Sequence, residues 1–549
     1  MKRINLYFKQ TIKQTCLYTL KSLQFFSAVL VIVLFALGCT KKNKADYNLD
    51  LKETLRWNIS SEPPSLDWTI ATDTTSSRIT DLLMVGLTKY GFTDKEVNVL
   101  PCLAISWESS KDMKNWTFTL RSDVKWSDGV PFTAQQIVDG WERLLNPKTG
   151  AEYANFLFNV KNAKEYLEGK ITDFSKVGVS INTKGQLVVN LIDSQSYFPS
   201  LLSHHSTFPI RKDIIAKYGD KWTEPATYVG LGAYTLKVWD HDKAVVLERN
   251  EMFFGKSPKV KYILGRVIPE ASTALNMFKK GEIDALDEVP SVEIDKINKM
   301  PEYTRNPILA VYFYGLNVKR PPLDNVKVRR ALNMAIDRNE VIKVLGGGKI
   351  PANNGVPPGL LGHDANIGLK FDAAAAAKML DDAGYKDRSK FPRLQLGFNT
   401  NENHQRIAEN IQAQVKRNLG VTIELLNEEW KTYLKSMQAK NYQIYRLGWV
   451  ADFPDVDTFI NLFVTNGGNN HTLWSNKKYD DLIKKGVSEN NPEKRKQIYY
   501  EAQRLISEEE VPFLPIYYYT SETLVNSRIK NYPHNVMGKF DVEDMEIVK

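Results

Sequence analysis

The sequence predicts an α/β protein with more than one domain. Its 549 residues are 43% hydrophobic and 25% charged, which gives a globular composition and the length of two to four ordinary domains. In the last third of the chain, helical periodicity alternates with short apolar strands, a pattern typical of α/β units around a partly parallel sheet. The sequence contains no internal repeat.

The first half of the chain contains a clear strand–turn–helix succession. Residues 116–120 alternate apolar and polar side chains, as a half-buried strand does. A turn at Ser127-Asp128-Gly129 follows. Thr133 and Gln136 then have the spacing of a capping box, and Asn146-Pro147 ends the helix that they begin.

Helices and strands alternate in the later part of the chain. Each predicted helix begins at a capping Asp or Asn or has apolar residues at helical spacing. Gly384 and Gly420 end two of these helices. The predicted elements are helices at 324–336, 372–384 and 407–420 and strands at 421–425 and 442–450.

The N-terminus has the pattern of an export signal. Basic residues precede an uncharged run over 25–37, which is shorter than the roughly twenty residues that span a bilayer. The stretch Ala36-Leu37-Gly38-Cys39 resembles a bacterial lipobox, although Leu is usual where Ala36 stands. We predict a signal peptide over 1–38, lipidation of Cys39 and a tether over 39–50. The alternatives are an uncleaved anchor and an ordinary signal peptide.

Charge and cysteine content limit the remaining classes. Cleavage after residue 38 removes five basic residues and lowers the net charge from +9 to +4, and no basic helix stripe with interleaved aromatics accompanies that charge. We therefore predict no nucleic-acid partner. Cleavage would leave only Cys39 and Cys102, so we expect no internal disulfide and assign Cys102 to the core.

Catalytic and metal-binding motifs are missing from the sequence. The chain has no His-Glu-x-x-His, paired Cys-x-x-Cys, EF-hand or Gly-x-Ser-x-Gly pattern. The run Gly346-Gly347-Gly348-Lys349 lacks the spacing of a phosphate loop, and Ile350 stands where a hydroxyl residue is needed. We predict no cofactor, no metal and no enzymatic activity.

Several stretches in constant order resemble the solute-binding proteins of peptide and nickel ABC importers, in particular the oligopeptide-binding branch. The resemblance extends from about residue 54 to the C-terminus. The stretches are Glu62-Pro-Pro-Ser-Leu-Asp67, Leu103–Glu108, Trp116–Arg121, Lys125–Gly129, Gly232-Ala-Tyr234, Glu248-Arg-Asn250, Leu316-Asn317, Val328–Asp337, Ala383-Gly-Tyr385 and Gly448–Asp455.

The resemblance implies an α/β clamp of two lobes, of the periplasmic-binding-protein type II, cluster C, with an extra small domain. Ligand contact with both lobes would drive closure about a hinge. The implied domains are lobe I over 51–75, 200–304 and 520–549, the small domain over 76–199, and lobe II over 305–519.

The same resemblance places a peptide site around residue 450. Gly448, Trp449 and Val450 match the strand that pairs with the ligand backbone in this family, a mode that supplies affinity without reading sequence. Asp452 matches the carboxylate that binds the free α-amino group of the peptide. A turn or capping residue is the alternative for Asp452.

Five further residues fall where oligopeptide binders place site-lining side chains: Asn399, His404, Trp430, Arg446 and Glu62. The resemblance implies that Asn399 and Trp430 shape side-chain pockets. It implies that His404 and Arg446 offer positive or donor groups to peptide carboxylates, and that Glu62 lies near the peptide N-terminus.

Three positions depart from the family pattern. Met437 and Gly346 stand where basic residues often engage the ligand's C-terminus, and Asp139 stands where an aromatic residue is common. Lys343 and Lys349 lie close to Gly346 in the sequence. Recognition of the carboxyl end is therefore open, and a branched or sugar-linked cell-wall peptide is an alternative ligand.

The resemblance implies an exported, lipid-anchored monomer that captures short peptides for the permease and ATPase subunits of an ABC importer. Alternatives within the fold are receptors for dipeptides, nickel chelates, haem or cell-wall muropeptides. Alternatives of other classes are a secreted hydrolase, for which no nucleophile with a base is found, and a structural lipoprotein with an inactive cleft.

Overall fold

The computed structural model describes residues 46–93 and 96–548. The chain divides into the units Met1–Glu53 and Thr54–Lys549, and the first contains a 3-10 helix at Asp46–Asn48. The predicted signal peptide and Cys39 lie outside the described residues, so lipidation stays a prediction. Across the described ranges, every helix is too short or too polar to span a membrane.

The second unit alternates strands and helices, which confirms the α/β class. Its strands are β1 Thr54–Asn58, β2 Thr88–Phe92, β3 Val97–Pro101, β4 Ala104–Ser109, β5 Asn115–Leu120, β6 Val179–Ile181, β7 Leu187–Asn190, β8 Tyr234–Asp240, β9 Ala244–Arg249, β10 Tyr262–Arg266, β11 Ala285–Leu286, β12 Tyr303–Leu316, β13 Ile350–Pro351, β14 Leu394–Asn399, β15 Ile423–Glu428, β16 Ile444–Val450, β17 Phe513–Val525, β18 Ile529–Lys530 and β19 Glu546–Ile547.

The α-helices cover the segments between these strands. They span Thr74–Leu83, Ala134–Leu145, Ala163–Leu167, Phe198–Leu201, Lys212–Tyr218, Ala271–Lys279, Ile294–Ile297, Val326–Met334, Arg338–Leu345, Ala373–Leu380, Glu402–Leu419, Trp430–Gln438, Asp457–Ile460, Lys477–Ser488 and Pro492–Arg504. The capping box predicted at Thr133 and Gln136 is present. The segment predicted as one helix over 324–336 begins at Val326 after the cap Asn325 and ends at Met334.

One mixed sheet joins eleven of the strands within the described residues. Its order is β15-β14-β16-β12-β17-β11-β1-β10-β9-β8, with β13 beside β17. A separate sheet, β4-β5-β7-β6, and the hairpin β2-β3 lie between residues 88 and 190. The two long strands β12 and β17 pair over most of their length and connect the two halves of the large sheet.

The second half of strand β12, residues 309–316, is buried on both faces of the sheet. Val311 and Phe313 belong to one apolar core, while Tyr312 and Tyr314 belong to another. Because side chains alternate along a strand, each face of the sheet carries its own core. This double burial explains why residues 309–316 form an unbroken apolar run, and it gives the neighbouring β16 a rigid support.

Candidate functional site

A cavity of about 370 Å³ lies beside β16. Its walls come from segments that are far apart in the sequence, so the fold is required to build it. They include the end of β1, the helix Thr74–Leu83, the end of β14, the middle of β17, the start of the helix Glu402–Leu419, one side of the helix Trp430–Gln438, and residues 537–539.

Strand β16 has one paired edge and one edge that is open over its second half. It pairs with β12 from Ile444 to Val450, whereas β14 pairs only with its first two residues. The Ala451 N–H donates to Leu309 O at 2.8 Å, and bonded and non-bonded pairs alternate along an antiparallel ladder. The backbone groups of Gly448 and Val450 therefore point away from β12, where no strand of the described chain pairs with them.

Asp452 lies just beyond the end of β16 and lines the cavity. Its Oδ1 accepts a hydrogen bond from the Tyr153 hydroxyl at 3.2 Å, and its Oδ2 accepts one from the Thr458 hydroxyl at 3.2 Å. Burial raises the pKa of Asp452 to about 6, against the opposing field of Lys539. Among the described residues, the only basic side-chain atom within 4.0 Å of this carboxylate is His204 Nε2, at 3.5 Å.

His204 does not neutralise this carboxylate. Burial, assisted by the charge of Lys539, holds the pKa of His204 well below its usual 6.5. The imidazole is therefore uncharged near pH 7, and its Nδ1 lies 2.9 Å from the Ser206 hydroxyl. Asp452 is consequently a buried acid that lacks a cationic partner in the described chain.

Arg446, at the other end of the open edge, is a buried cation that lacks an acidic partner in the described chain. It is 8% exposed, donates to Tyr519 Oη at 2.6 Å and to Asn399 Oδ1 at 3.3 Å, and lies 4.7 Å from the centre of the Tyr312 ring. No Asp or Glu oxygen of the described residues lies within 4.0 Å of it. A Cβ at Gly448 would lie 2.6 Å from Tyr519 Oη, so the close packing at this site requires glycine.

His404 and Trp430 also line the cavity. Burial, followed by the charge of Arg446, lowers the pKa of His404 well below 6.5, so this imidazole is neutral. Its Nδ1 is buried without a hydrogen-bond partner. Of the two roles expected for His404, positive group or donor, only the uncharged one fits the structure. Trp430 Nε1 donates to Asp73 Oδ1 at 3.4 Å.

The structure does not bring Glu62 to this cavity. Its Oε1 lies 2.5 Å from His241 Nδ1, and its Oε2 accepts the Asp242 N–H at 2.6 Å. Both carboxylate oxygens thus hold the turn between β8 and β9. The peptide contact expected at Glu62 stays a prediction, and in this structure the side chain is used within the fold.

Of the three positions that depart from the family pattern, only Met437 lies in the cavity wall. Met437 lies in the cavity wall, while Gly346 ends the helix Arg338–Leu345 at φ +64° and does not line the cavity. Lys349 does line it, but its Nζ donates to Glu522 at 2.9 Å. Asp139 lies elsewhere and accepts a hydrogen bond from Gln135.

Sequence reasoning missed several residues of the site. Tyr153, Tyr519 and Glu522 line the cavity, and no motif marks them. Tyr153 reaches the site from a segment 299 residues away from Asp452. Within the described part of the chain, no group of three His, Cys, Asp or Glu side chains is placed to hold a metal ion.

Comparison with known proteins gives a consistent result. The family model for bacterial extracellular solute-binding proteins, family 5, matches residues 98–471. An oligopeptide-binding protein of Bacillus subtilis is 34% identical over 495 residues, which are 87% of this chain and 90% of that protein. The Haemophilus influenzae oligopeptide-binding protein in complex with the peptide RPPGFSPFR has a TM-score of 0.85 at 31% identity, covering 91% of this chain and all of that one.

A third relative is the murein tripeptide-binding protein of Escherichia coli. One structure of it has a TM-score of 0.85 at 31% identity, covering 90% of this chain and 98% of that one. Its unliganded open form covers 91% of this chain and 98% of that one, with a TM-score of 0.62. These likenesses confirm the predicted two-lobe clamp.

Proposed function

The chain belongs to family 5 of the bacterial extracellular solute-binding proteins, and we propose that it captures short peptides outside the cytoplasmic membrane for an ABC importer. The relatives that bind oligopeptides and murein peptides support this assignment. In this proposal the chain is a monomeric receptor and not an enzyme. A lipid on Cys39 holds it at the membrane, and permease and ATPase subunits receive the peptide.

The peptide binds as an added strand along the open edge of β16. Gly448 and Val450 direct their backbone N–H and C=O groups to that edge, so they form hydrogen bonds without reading side chains. The peptide's α-ammonium group binds Asp452. One observation carries the proposal: a buried carboxylate without a cation lies at the end of an unpaired strand edge.

The opposite end of the peptide lies toward Arg446. Val450 lies four residues after Arg446 along the strand, a distance of about 13 Å. Arg446 is a buried cation without an acidic partner among the described residues, and a peptide carboxylate would supply one. The geometry therefore favours peptides of three to five residues.

The proposed lobes are lobe I, over 51–75, 200–304 and 520–549, and lobe II, over 305–519, with the small domain at 76–199. Strands β12 and β17 connect the two halves of the large sheet and are the candidate hinge. The lower TM-score with an unliganded open form supports closure about such a hinge. A peptide that contacts both lobes would favour the closed state by its differential affinity.

Titration calorimetry and native mass spectrometry with tri- to pentapeptides test the proposal. We expect one peptide per chain and at least tenfold weaker binding of N-acetylated peptides. Binding of a nickel chelate or haem without peptide binding would identify a different receptor of the same fold. Release of amino acids would indicate a hydrolase, and the absence of any ligand-induced thermal shift would indicate an inactive cleft.

A further inference from the structure

Two acids of the cavity wall differ from the others. Five acidic side chains that line it bind a Lys or Arg, accept hydrogen bonds from two asparagine amides, or cap a helix: Asp73, Asp81, Asp287, Glu288 and Glu522. Asp452 and Glu152 do none of these: neither has a Lys or Arg within 4.0 Å in the described chain, and Glu152 receives one amide hydrogen bond, from Gln438. Asp452 is the proposed amino-group anchor, which leaves Glu152 without an assigned role.

Glu152 is held at the cavity wall by its backbone. It begins a 3-10 helix, Glu152–Leu157, and a Cβ at Gly468 would lie 2.2 Å from its carbonyl oxygen. Its side chain is 18% exposed, and its carboxylate lies 3.8 Å from His471 Nε2. The residue is thus fixed in position but retains access to the cavity.

The basic groups near Glu152 do not form an ion pair with it. Lys440 donates its ammonium hydrogen to His471 Nδ1 at 2.5 Å. Burial, followed by the charge of Lys440, lowers the pKa of His471 to about 3, so His471 is neutral. Burial raises the pKa of Glu152 to about 7, although Lys440 and a hydrogen bond from Gln438 oppose this. A cation brought into contact with this carboxylate would therefore be favoured.

Apolar side chains line the same cavity as Glu152. Leu434 and Met437 lie one turn apart on the helix Trp430–Gln438, and both line the cavity. The ring of Trp449 lies 6.3 Å from that of Tyr153, the neighbour of Glu152. These side chains can cover an aliphatic stem, while the carboxylate can receive a charge at its end.

We propose that Glu152 ends a side-chain pocket that selects peptides carrying a lysine or arginine side chain. The proposal rests on the peptide-binding function proposed above. Side chains alternate along a strand, so the pocket beside Trp449 lies on the face opposite to Arg446. A peptide paired with β16 presents every second side chain to the Trp449 face. The pocket therefore selects a positively charged side chain at one position of the peptide and leaves the other positions unselected.

A position scan of alanine tripeptides tests this pocket. Lysine and norleucine have similar stems and differ in charge, and each is placed in turn at positions 1, 2 and 3. We expect calorimetry to give about tenfold tighter binding of the lysine peptide at one position. In Glu152→Gln, the ratio of the two affinities at that position should fall to near one.

Glu288→Gln is the matched control, since it removes a different carboxylate from the same cavity. If the local pocket is responsible, this variant keeps the lysine preference. An equal loss in both variants would overturn the proposal in favour of a general negative field. Binding of all peptides without any preference in the unaltered protein would also overturn it. Failure of every peptide to bind would overturn both this proposal and the peptide-binding function.

Discussion

Two buried aspartates of this protein are in opposite electrostatic situations. Asp284 receives hydrogen bonds from both Arg56 and Arg528, at 2.6 Å in each case, and its side chain is fully buried. Burial alone would raise the pKa of Asp284, but the bonds from Arg528 and Arg56 outweigh it and lower the pKa. Asp452 has no such partner, and burial raises its pKa to about 6.

The difference separates an acid that serves the fold from an acid that serves a ligand. The charge of Asp284 is balanced inside the protein by β1 and by the segment after β17. Asp452 has no Lys or Arg within 4.0 Å in the described chain. The free-energy cost of burying its charge is therefore offset only when a ligand cation binds. This contrast predicts opposite consequences for the same substitution at the two sites.

The largest expected effect is a loss of stability when Asp284, which is paired with two arginines, is substituted. Asp284→Asn leaves two arginines without their buried acid, and breaking such a pair typically costs about 3–5 kcal/mol. We expect this loss in the free energy of unfolding, measured with urea. Because the pKa of Asp284 is lowered in the fold, its contribution is present above the unfolded pKa and is lost as the pH falls through the folded pKa. An unchanged unfolding midpoint would contradict the structural role.

The second expected effect is a loss of peptide affinity when Asp452, which lacks a cationic partner, is substituted. Asp452→Asn removes the charge that binds the peptide's amino group, and a charge-assisted hydrogen bond contributes about 1.5–3 kcal/mol. We expect peptide binding to weaken at least tenfold. N-acetylation of the peptide should weaken binding to the unaltered protein by a similar factor and should have little further effect in the variant. Additive losses would show that Asp452 is not the amino-group anchor.

Asp457→Asn is the matched control for Asp452→Asn. Burial, followed by the charge of Asp455, raises the pKa of Asp457 to about 6, yet this side chain does not line the cavity. A raised folded pKa means that ionisation above about pH 6 destabilises the fold, and this cost disappears below the unfolded pKa. Both asparagine variants should therefore be more stable near neutral pH, but only Asp452→Asn should bind peptide more weakly.

The sequence was informative where function is contained in one continuous stretch. Gly448, Trp449, Val450 and Asp452 come from a single motif, and the structure places all four at the cavity. The strand itself was readable, since β16 at Ile444–Val450 lies within the predicted 442–450.

Contacts between distant segments could not be read in the same way. Glu62 lies in a motif, but its partners His241 and Asp242 are about 180 residues away and take up its carboxylate. Glu152 belongs to no motif, and its position at the cavity depends on the close contact of its backbone with Gly468. The register that opens one edge of β16 depends on where pairing with β14 stops, and hydrophobic periodicity does not encode this.

Arg446 extends the comparison to a cation. Arg56 and Arg528 share an acid inside the fold, whereas Arg446 has none within 4.0 Å in the described chain. Arg446→Met keeps an unbranched stem beside Tyr312 and removes the charge. We expect about fivefold to tenfold weaker binding of tri- and tetrapeptides by calorimetry, because a charged hydrogen bond is lost. Amidated peptides should bind the variant and the unaltered protein equally, and a persistent difference would assign Arg446 another role.

The smallest expected effect is a dependence of peptide affinity on pH. It distinguishes Asp452 from Asp284 without any substitution. The groups around Asp452 are Tyr153, Thr458, His204 and His205, with Lys539 nearby, and burial keeps both histidines neutral throughout this range. Half of the Asp452 carboxyls are protonated in the empty protein at about pH 6. A peptide ammonium requires the carboxylate, so affinity should fall about twofold between pH 7.5 and pH 6.

Trialanine is the suitable ligand for this measurement, because it has no side-chain cation for Glu152, whose pKa is raised to about 7. The affinity of Asp452→Asn for trialanine should be constant over the same pH interval. Asp284 cannot produce the effect, since its pKa is lowered and it stays ionised. If Asp452→Asn retains the twofold change, another group titrates and the unmatched charge of Asp452 does not control binding.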